Sequence, residues 1–177
     1  QLEVVEDSIL DEDSYLEVIR KKTAMLISAC IEIGAITAGA SDELVAYCRQ
    51  IGEYLGYCFQ IKDDIFDYYS NLHIGKPTGN DILEGKVTLP LLYALRKTAG
   101  DDAATSYYLQ VIENKDFTPT HIAELILFAK ENGGIAYAEL KMKEYRDKAL
   151  EVIYKLPHSE ARKSLIELAD YIIERDK

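Results

Sequence analysis

Apolar residues recur at intervals of three and four positions along most of this chain, and that spacing places them on one face of an α-helix. Only four prolines and ten glycines interrupt the 177 residues, so the segments between these breaks are long enough for helices of several turns. No segment shows the alternating pattern of a half-buried strand. The sequence therefore predicts an all-α protein.

Several breaks have the residue types that start helices. Ser14 and Glu17 have the spacing of a capping box, Asp42 can cap the second helix, and Pro90 suits the first turn of a helix capped by Thr88. The predicted helices cover about 14–38, 42–69, 90–100, 102–113, 118–131, 134–156 and 159–175.

The composition excludes several classes of function. With 31 acidic and 20 basic side chains the net charge is −11, whereas a nucleic-acid-binding surface needs clustered positive charge. The sequence opens on QLEVVEDS without a basic stretch and contains no long uninterrupted apolar segment, so we expect no signal peptide, no membrane span and a cytoplasmic location. Cys30, Cys48 and Cys58 form no CxxC pair and are predicted to be small buried apolar residues.

Three aspartates, Asp63, Asp64 and Asp67, stand near the end of the second predicted helix, and we call them the aspartate cluster. Asp63 and Asp67 share a helix face with Gln60, whereas Asp64 is turned away by about 100°. Like charges at this spacing repel each other, and Mg²⁺ prefers carboxylate oxygens when it bridges a protein to phosphates. The cluster is a candidate magnesium site, although alone it is also the pattern of a solvated acidic helix end.

Lysines flank the aspartate cluster in the sequence. Lys22 lies in the first predicted helix, and Lys76 and Lys86 lie in the stretch 70–88, which is predicted to be an ordered loop. The glycines of this loop leave the backbone room to approach a ligand closely. Because a diphosphate is held by metal ions on one side and ammonium groups on the other, we predict a diphosphate site. Lys21 and Lys22 are adjacent, and the sequence leaves open which of the two binds the diphosphate.

Four stretches carry a resemblance to a known family: KT at 22–23, GYCFQIKDDIFDYY at 56–69, GKPTGND at 75–81 and EGKVTLPLLYAL at 84–95. In this order they resemble the C-terminal half of the trans-isoprenyl diphosphate synthase, or polyprenyl synthetase, family. The resemblance implies an antiparallel helix bundle of the isoprenoid synthase type, with residues 1–177 as the C-terminal part of a single domain. It also implies a prenyltransferase that condenses an allylic diphosphate with isopentenyl diphosphate into a longer all-trans polyprenyl diphosphate.

The same resemblance implies roles for individual residues. Asp63 and Asp67 would ligate Mg²⁺ bound to the allylic diphosphate, with Asp64 ligating or orienting. Lys22 and Lys86 would hold that diphosphate. Lys76 would be a further contact of the diphosphate. Thr23 and Gln60 would line the region of the carbocation, and Phe59 would lie toward the prenyl-acceptor side.

The family's first aspartate-rich motif has no counterpart in these residues. The acids of EDSILDED at 6–13 precede a helix and are predicted to be solvated. Because half of the metal ligands are missing, we expect this chain alone to be inactive, as a fragment of a parent enzyme. We also expect a homodimer or larger assembly, since apolar surface that normally packs against partner helices does not remain solvated.

Two other functions stay open. A class I terpene cyclase also uses DDxxD with Mg²⁺, but its second motif needs an acid, a hydroxyl and a glutamate at four-residue steps. Here Asp101 and Thr105 are followed by Leu109. A non-catalytic helical subunit or interaction module would use the acidic surface to bind a basic partner, which does not explain the glycines and lysines of the loop.

Overall fold

The computed structural model of the protein describes residues 11–69, 78–99 and 103–175. Its helical elements are α1 (Glu12–Ile19), a π-helical turn (Arg20–Ala24), α2 (Met25–Thr37), α3 (Asp42–Phe66), α4 (Asn80–Leu83), α5 (Leu89–Thr98), α6 (Ala103–Glu113), α7 (Pro119–Glu131), α8 (Gly134–Ile153) and α9 (Glu160–Glu174). These ranges contain no strand, which confirms the all-α class. Within them, no helix combines the length and the apolar character needed to cross a membrane.

The helices begin and end within a few residues of the predicted positions. The short helix α4 was not predicted, since it lies in the stretch expected to be a loop. The helix starts also differ in detail. Asp11 caps α1 by accepting the Ser14 amide at 2.9 Å, so Ser14 lies inside the helix, and Ser41 caps α3 by accepting the Leu44 amide at 3.4 Å. In each case an earlier side chain reaches the free amides of the first turn.

Two compact units make up the chain, one of residues 1–15 and 63–139 and the other of residues 16–62 and 140–177. The single domain predicted for residues 1–177 stays a prediction. Fully buried side chains of the first unit include Tyr68, Ile82, Leu89, Leu91, Leu92, Leu95 and Leu125, and those of the second include Ile51, Leu55, Ile61 and Ile153.

In the first unit, α5 begins as its proline predicts. Pro90 occupies the first turn, and Thr88 is the preceding residue in extended conformation. The Thr88 hydroxyl does not cap the helix, because it lies 3.0 Å from the hydroxyl of the buried Tyr68. The start of α8 lies against this turn, where a Cβ on Gly134 would be 2.0 Å from the Pro90 carbonyl oxygen.

In the second unit, the π-helical turn changes which side chains face inward. Ile19, Ala24 and Ser28 are buried, and the interval of five between the first two reflects the wider turn. In a continuous α-helix Leu26 and Ile33 would share the inner face of Ile19, but they are 69% and 58% exposed. The extra residue of the π-helical turn rotates them outward.

The three cysteines differ in burial. Cys58, in α3, is buried and donates its thiol hydrogen to the Met142 carbonyl at 3.3 Å. Burial raises the pKa of Cys58 to about 12, so the thiol stays protonated and unreactive. Cys48 is half-buried, and Cys30, beyond the π-helical turn, is exposed. The predicted burial is confirmed for Cys58 and wrong for Cys30.

Helix α3 packs at backbone distance against the helix that precedes it. A Cβ added to Gly52 would lie 2.5 Å from Ser28 Cα, and one added to Gly56 would lie 2.4 Å from Ala24 Cα. The Ser28 hydroxyl also donates to the Arg49 carbonyl at 2.8 Å. Only glycine at these two positions of α3 allows the helices to come so close.

Substitution of Gly56 by alanine tests this contact. Gly56→Ala should lower the free energy of unfolding by about 1–3 kcal/mol, because the added methyl group forces the two backbones apart. Gly34→Ala is the matched control: Gly34 is helical with open space around it, and the change should raise stability by about 0.5–1 kcal/mol. Urea unfolding measures both, and equal shifts in the two variants would refute the contact.

Candidate functional site

The aspartate cluster lies where α3 ends, and its members have different partners. Asp63 and Asp64 belong to the last turn of α3, and Asp67 is the first residue after it. Asp63 is half-exposed. Asp64 is only 4% exposed, and its carboxylate accepts a hydrogen bond from the Tyr15 hydroxyl at 2.7 Å. This bond joins the end of α3 to α1.

The Tyr15–Asp64 bond is buried and charge-assisted. Burial, and then the charge of the neighbouring Asp64, raise the pKa of Tyr15 well above its ordinary value. The phenol therefore keeps its proton and remains a donor. A buried carboxylate that loses a donor suffers an uncompensated desolvation cost, so this pair fixes the direction in which Asp64 points.

Asp67 holds the chain that follows the predicted loop. Its two carboxylate oxygens accept the backbone N–H groups of Asn80 and Asp81, each at 3.0 Å. Its carbonyl accepts the N–H of Gly79 at 2.9 Å. Burial is the main reason that the pKa of Asp67 is raised, and the nearby Asp81 carboxylate adds to it while the three N–H donors oppose it.

Lys86 belongs to the same group of contacts. Its ammonium group pairs with the Asp81 carboxylate at 3.1 Å and with the Glu84 carboxylate at 2.5 Å. Glu84 and Asp81 together raise the pKa of Lys86, so it carries its charge throughout the physiological range. Lys86 remains about half exposed, at 48% of its side chain. Lys76, the other predicted lysine of the loop, lies outside the described residues.

The second unit holds the other predicted residues, beginning with Lys22 and Thr23 in the π-helical turn. The Thr23 hydroxyl donates to the side-chain oxygen of the buried Gln60 at 2.6 Å. Lys21 pairs with Glu17 at 3.1 Å. Lys22 is exposed, and the described part of the chain offers it no ion pair. This difference favours Lys22 over Lys21 as the residue available to an anionic ligand.

Phe59 lies beside an apolar cleft of about 310 Å³ in the second unit. The Arg175 guanidinium lies over its ring at 4.2 Å from the centroid and donates to the Phe59 carbonyl at 3.2 Å. Lys62 donates to the Ile173 carbonyl at 2.8 Å, which also fixes the end of α9 to α3. The cleft is lined by Ile27, Leu55, Phe59, Leu168, Tyr171, Ile172 and Arg175.

Two of the three carboxylates of the aspartate cluster are directed to partners within the protein. In the described ranges, no three His, Cys, Asp or Glu side chains are gathered so that they could hold a metal ion. The reason is local: Asp64 is turned toward Tyr15, and both oxygens of Asp67 accept backbone amides. The assignment of all three as metal ligands stays a prediction.

Sequence reasoning missed Tyr15 and Asp81 in the first unit and Arg175 in the second. Tyr15 occupies a position of the apolar repeat and so gave no sign of its hydroxyl's partner. Asp81 stands in the GKPTGND stretch, where Lys76 is the predicted diphosphate contact. Arg175 follows the last predicted apolar positions, and no local pattern indicates its contact with Phe59.

Comparison with known proteins decides the family. The sequence matches the polyprenyl synthetase family over residues 1–126. The chain belongs to the polyprenyl synthetase family. It is 40% identical over 164 residues to heptaprenyl diphosphate synthase component 2 of Geobacillus stearothermophilus, an alignment that covers 92% of this chain and 49% of that protein. The chain thus spans about half the length of that relative.

Solved structures of polyprenyl synthetases share the fold. A geranylgeranyl pyrophosphate synthase from Bacteroides thetaiotaomicron has a TM-score of 0.85 and 46% identity, covering 94% of this chain and 54% of that one. A Caulobacter crescentus polyprenyl synthase, complexed with calcium and isoprenyl diphosphate, has a TM-score of 0.85 and 32% identity, covering 94% and 51%. The predicted isoprenoid synthase type of helical fold is confirmed.

The buried hydrogen bond of this polyprenyl synthetase chain can be tested with Tyr15→Phe. The change leaves the Asp64 carboxylate buried without this donor and should lower the free energy of unfolding by about 1–3 kcal/mol. Tyr47→Phe is the matched control, because it removes a hydroxyl bond of the same 2.7 Å length to the Glu43 carboxylate at an exposed position. The control should lose less than about 1 kcal/mol. If urea unfolding gave equal losses, burial would not be what strengthens the Asp64 bond.

Proposed function

We propose that this chain is the C-terminal part of one synthase domain of a Mg²⁺-dependent polyprenyl diphosphate synthase. The parent enzyme condenses an allylic diphosphate with isopentenyl diphosphate to form a longer all-trans polyprenyl diphosphate. The observation that carries the proposal is the family match over residues 1–126, since these residues include every motif of the predicted diphosphate site.

The residues of the site fit a magnesium ion in part. Asp63 is half-exposed at the end of α3, and its carboxylate oxygens are hard ligands of the kind that Mg²⁺ prefers. Asp64 supports the ion indirectly, because its bond to Tyr15 fixes the last turn of the helix. A bound ion would supply positive charge that offsets the negative charge of the departing diphosphate. The calcium in the Caulobacter crescentus relative supports a hard divalent cation in this family.

The side chains of this polypeptide hold the diphosphate and face the developing charge. The ammonium groups of Lys22 and Lys86 bind the diphosphate oxygens and stabilise the negative charge that grows on them. The side-chain oxygens of Thr23 and Gln60, which the 2.6 Å hydrogen bond holds together, carry partial negative charge beside the allylic cation. Phe59 lies on the prenyl-acceptor side. No protein nucleophile is needed.

The parent enzyme needs more than this half. The chain covers 49% of the heptaprenyl relative, and we expect the 177 residues alone to lack synthase activity. Exposed apolar side chains on α2, namely Met25, Leu26, Ile33 and Ile36, support packing against further helices, within the parent or in a homodimer. The name of the same relative, component 2, supports a second candidate function, that of one subunit in a two-component enzyme.

An assay of the complete enzyme that contains this chain tests the proposal. With isopentenyl and allylic diphosphates and Mg²⁺, it should form polyprenyl diphosphates whose length is read by chromatography. Asp63→Asn should lower kcat/KM by about 100-fold or more, because the site loses a carboxylate ligand of the cation that offsets the charge on the departing diphosphate. Asp13→Asn, at an exposed position of α1, should leave turnover unchanged. Unchanged turnover in the Asp63 variant would refute the assignment.

The adjacent lysines give a second test, with a control built into the sequence. Lys22→Ala should raise KM for the allylic diphosphate by roughly 10- to 100-fold, which is the worth of one charge-assisted hydrogen bond. Lys21→Ala removes the same charge from a side chain that pairs with Glu17, and it should change KM less than about 2-fold. Equal effects of the two changes would indicate only a general loss of positive charge.

A further inference from the structure

Three consecutive backbone amides, those of Gly79, Asn80 and Asp81, donate to one residue, Asp67. The first donates to the Asp67 carbonyl at 2.9 Å, and the next two donate to separate carboxylate oxygens at 3.0 Å each. A carboxylate is a strong acceptor for the free amides at the start of a helical turn. Asp67 therefore fixes the position and the direction of the chain as it enters α4.

The same stretch is fixed from its other side by packing. Gly79 has a φ of +80°, and a Cβ added to it would lie 2.3 Å from Ile122 Cγ2. Ile82, in α4, is 2% exposed. The segment is thus held between α7 and Asp67, and this arrangement requires both a left-handed conformation and the absence of a side chain at Gly79.

Lys86 takes its position from this segment. The Asp81 carbonyl accepts the Lys86 amide at 2.8 Å, and the Asp81 carboxylate pairs with the Lys86 ammonium at 3.1 Å. Glu84 pairs with the same ammonium group. Asp67 thus acts on Lys86 through Asp81. The Asp67 carboxylate binds the Asp81 amide, and the Asp81 carboxylate in turn binds the Lys86 ammonium group.

These contacts also limit what else Asp67 can do. Mg²⁺ demands near-ideal octahedral geometry and usually keeps several of its waters. A metal ligand must therefore present a carboxylate oxygen in a direction that the ion dictates. Both oxygens of Asp67 are instead oriented by amides that belong to a packed segment. Asp63, one helical turn earlier, is half-exposed.

We propose that Asp67 is a positioning residue, which holds the segment Gly79–Lys86 so that Lys86 meets the diphosphate, and that it does not ligate the metal. This inference rests on the proposed function for the role of Lys86. The aspartate cluster then divides its work: Asp63 serves the metal, Asp64 fixes the end of α3 through Tyr15, and Asp67 fixes the lysine segment.

Hydrogen exchange tests the structural half of this proposal without any need for activity. In the 177-residue chain, Asp67→Ala should speed exchange of the Asn80 and Asp81 amides by about 10-fold or more, since about 1.4 kcal/mol of local protection is a factor of ten. Asp67→Asn keeps one carbonyl oxygen as an acceptor and should give a smaller increase. Asp63→Asn, the matched control, should leave these amides unchanged. Unchanged exchange in both Asp67 variants would overturn the proposal.

Metal dependence in the complete enzyme tests the other half. Asp67→Asn should raise KM for the allylic diphosphate by about 10-fold, because Lys86 is displaced, while the Mg²⁺ concentration for half-maximal turnover changes less than about 2-fold. Asp63→Asn should shift that Mg²⁺ concentration strongly. An Asp67→Asn shift as large as that of Asp63→Asn would make Asp67 a ligand and overturn the proposal. An enzyme without synthase activity would instead refute the proposed function and leave the exchange result standing.

Discussion

Between Gly52 and Ser28, and again between Gly56 and Ala24, two helix backbones touch with no side chain between them. Because the threonine side chain is short, this close approach of the backbones lets the Thr23 hydroxyl reach the Gln60 side chain at 2.6 Å. Larger side chains in place of the glycines would hold the helices further apart, and the hydrogen bond between Thr23 and Gln60 would break. A packing contact thus sets a polar geometry that belongs to the proposed site.

In the aspartate cluster, local packing decides how each carboxyl group is used. Asp64 is buried and bonded to Tyr15, Asp67 accepts two amides, and Asp63 stays half-exposed at the helix end. A sequence motif of three identical residues therefore places its carboxyl groups in three different environments. The cost of desolvating Asp64 and Asp67 is offset by donors that also connect separate parts of the first unit.

Helical periodicity was sufficient to predict the all-α class and most helix bounds, because burial of one face dominates both. It failed where a contact distant in sequence decides. The π-helical turn follows no local pattern, so Leu26 lies outside, although in a regular helix it would share the inner face of Ile19. By contrast, helical pitch alone was enough to predict that Asp64 faces away from Asp63 and Asp67. The partners of Asp67 lie 13 and 14 residues further along the chain, beyond the reach of any motif.

The π-helical turn limits how the sequence of this helix can evolve. Such a turn amounts to one residue inserted into an α-helix. Loss of a single residue between Ile19 and Ala24 would restore a regular helix and rotate everything before it by about 100° relative to everything after. A different side chain would then stand opposite Gly56. Insertions and deletions in this helix therefore act as switches of register, so a lineage that gains or loses one residue here must rebuild the facing surface of α3 as well.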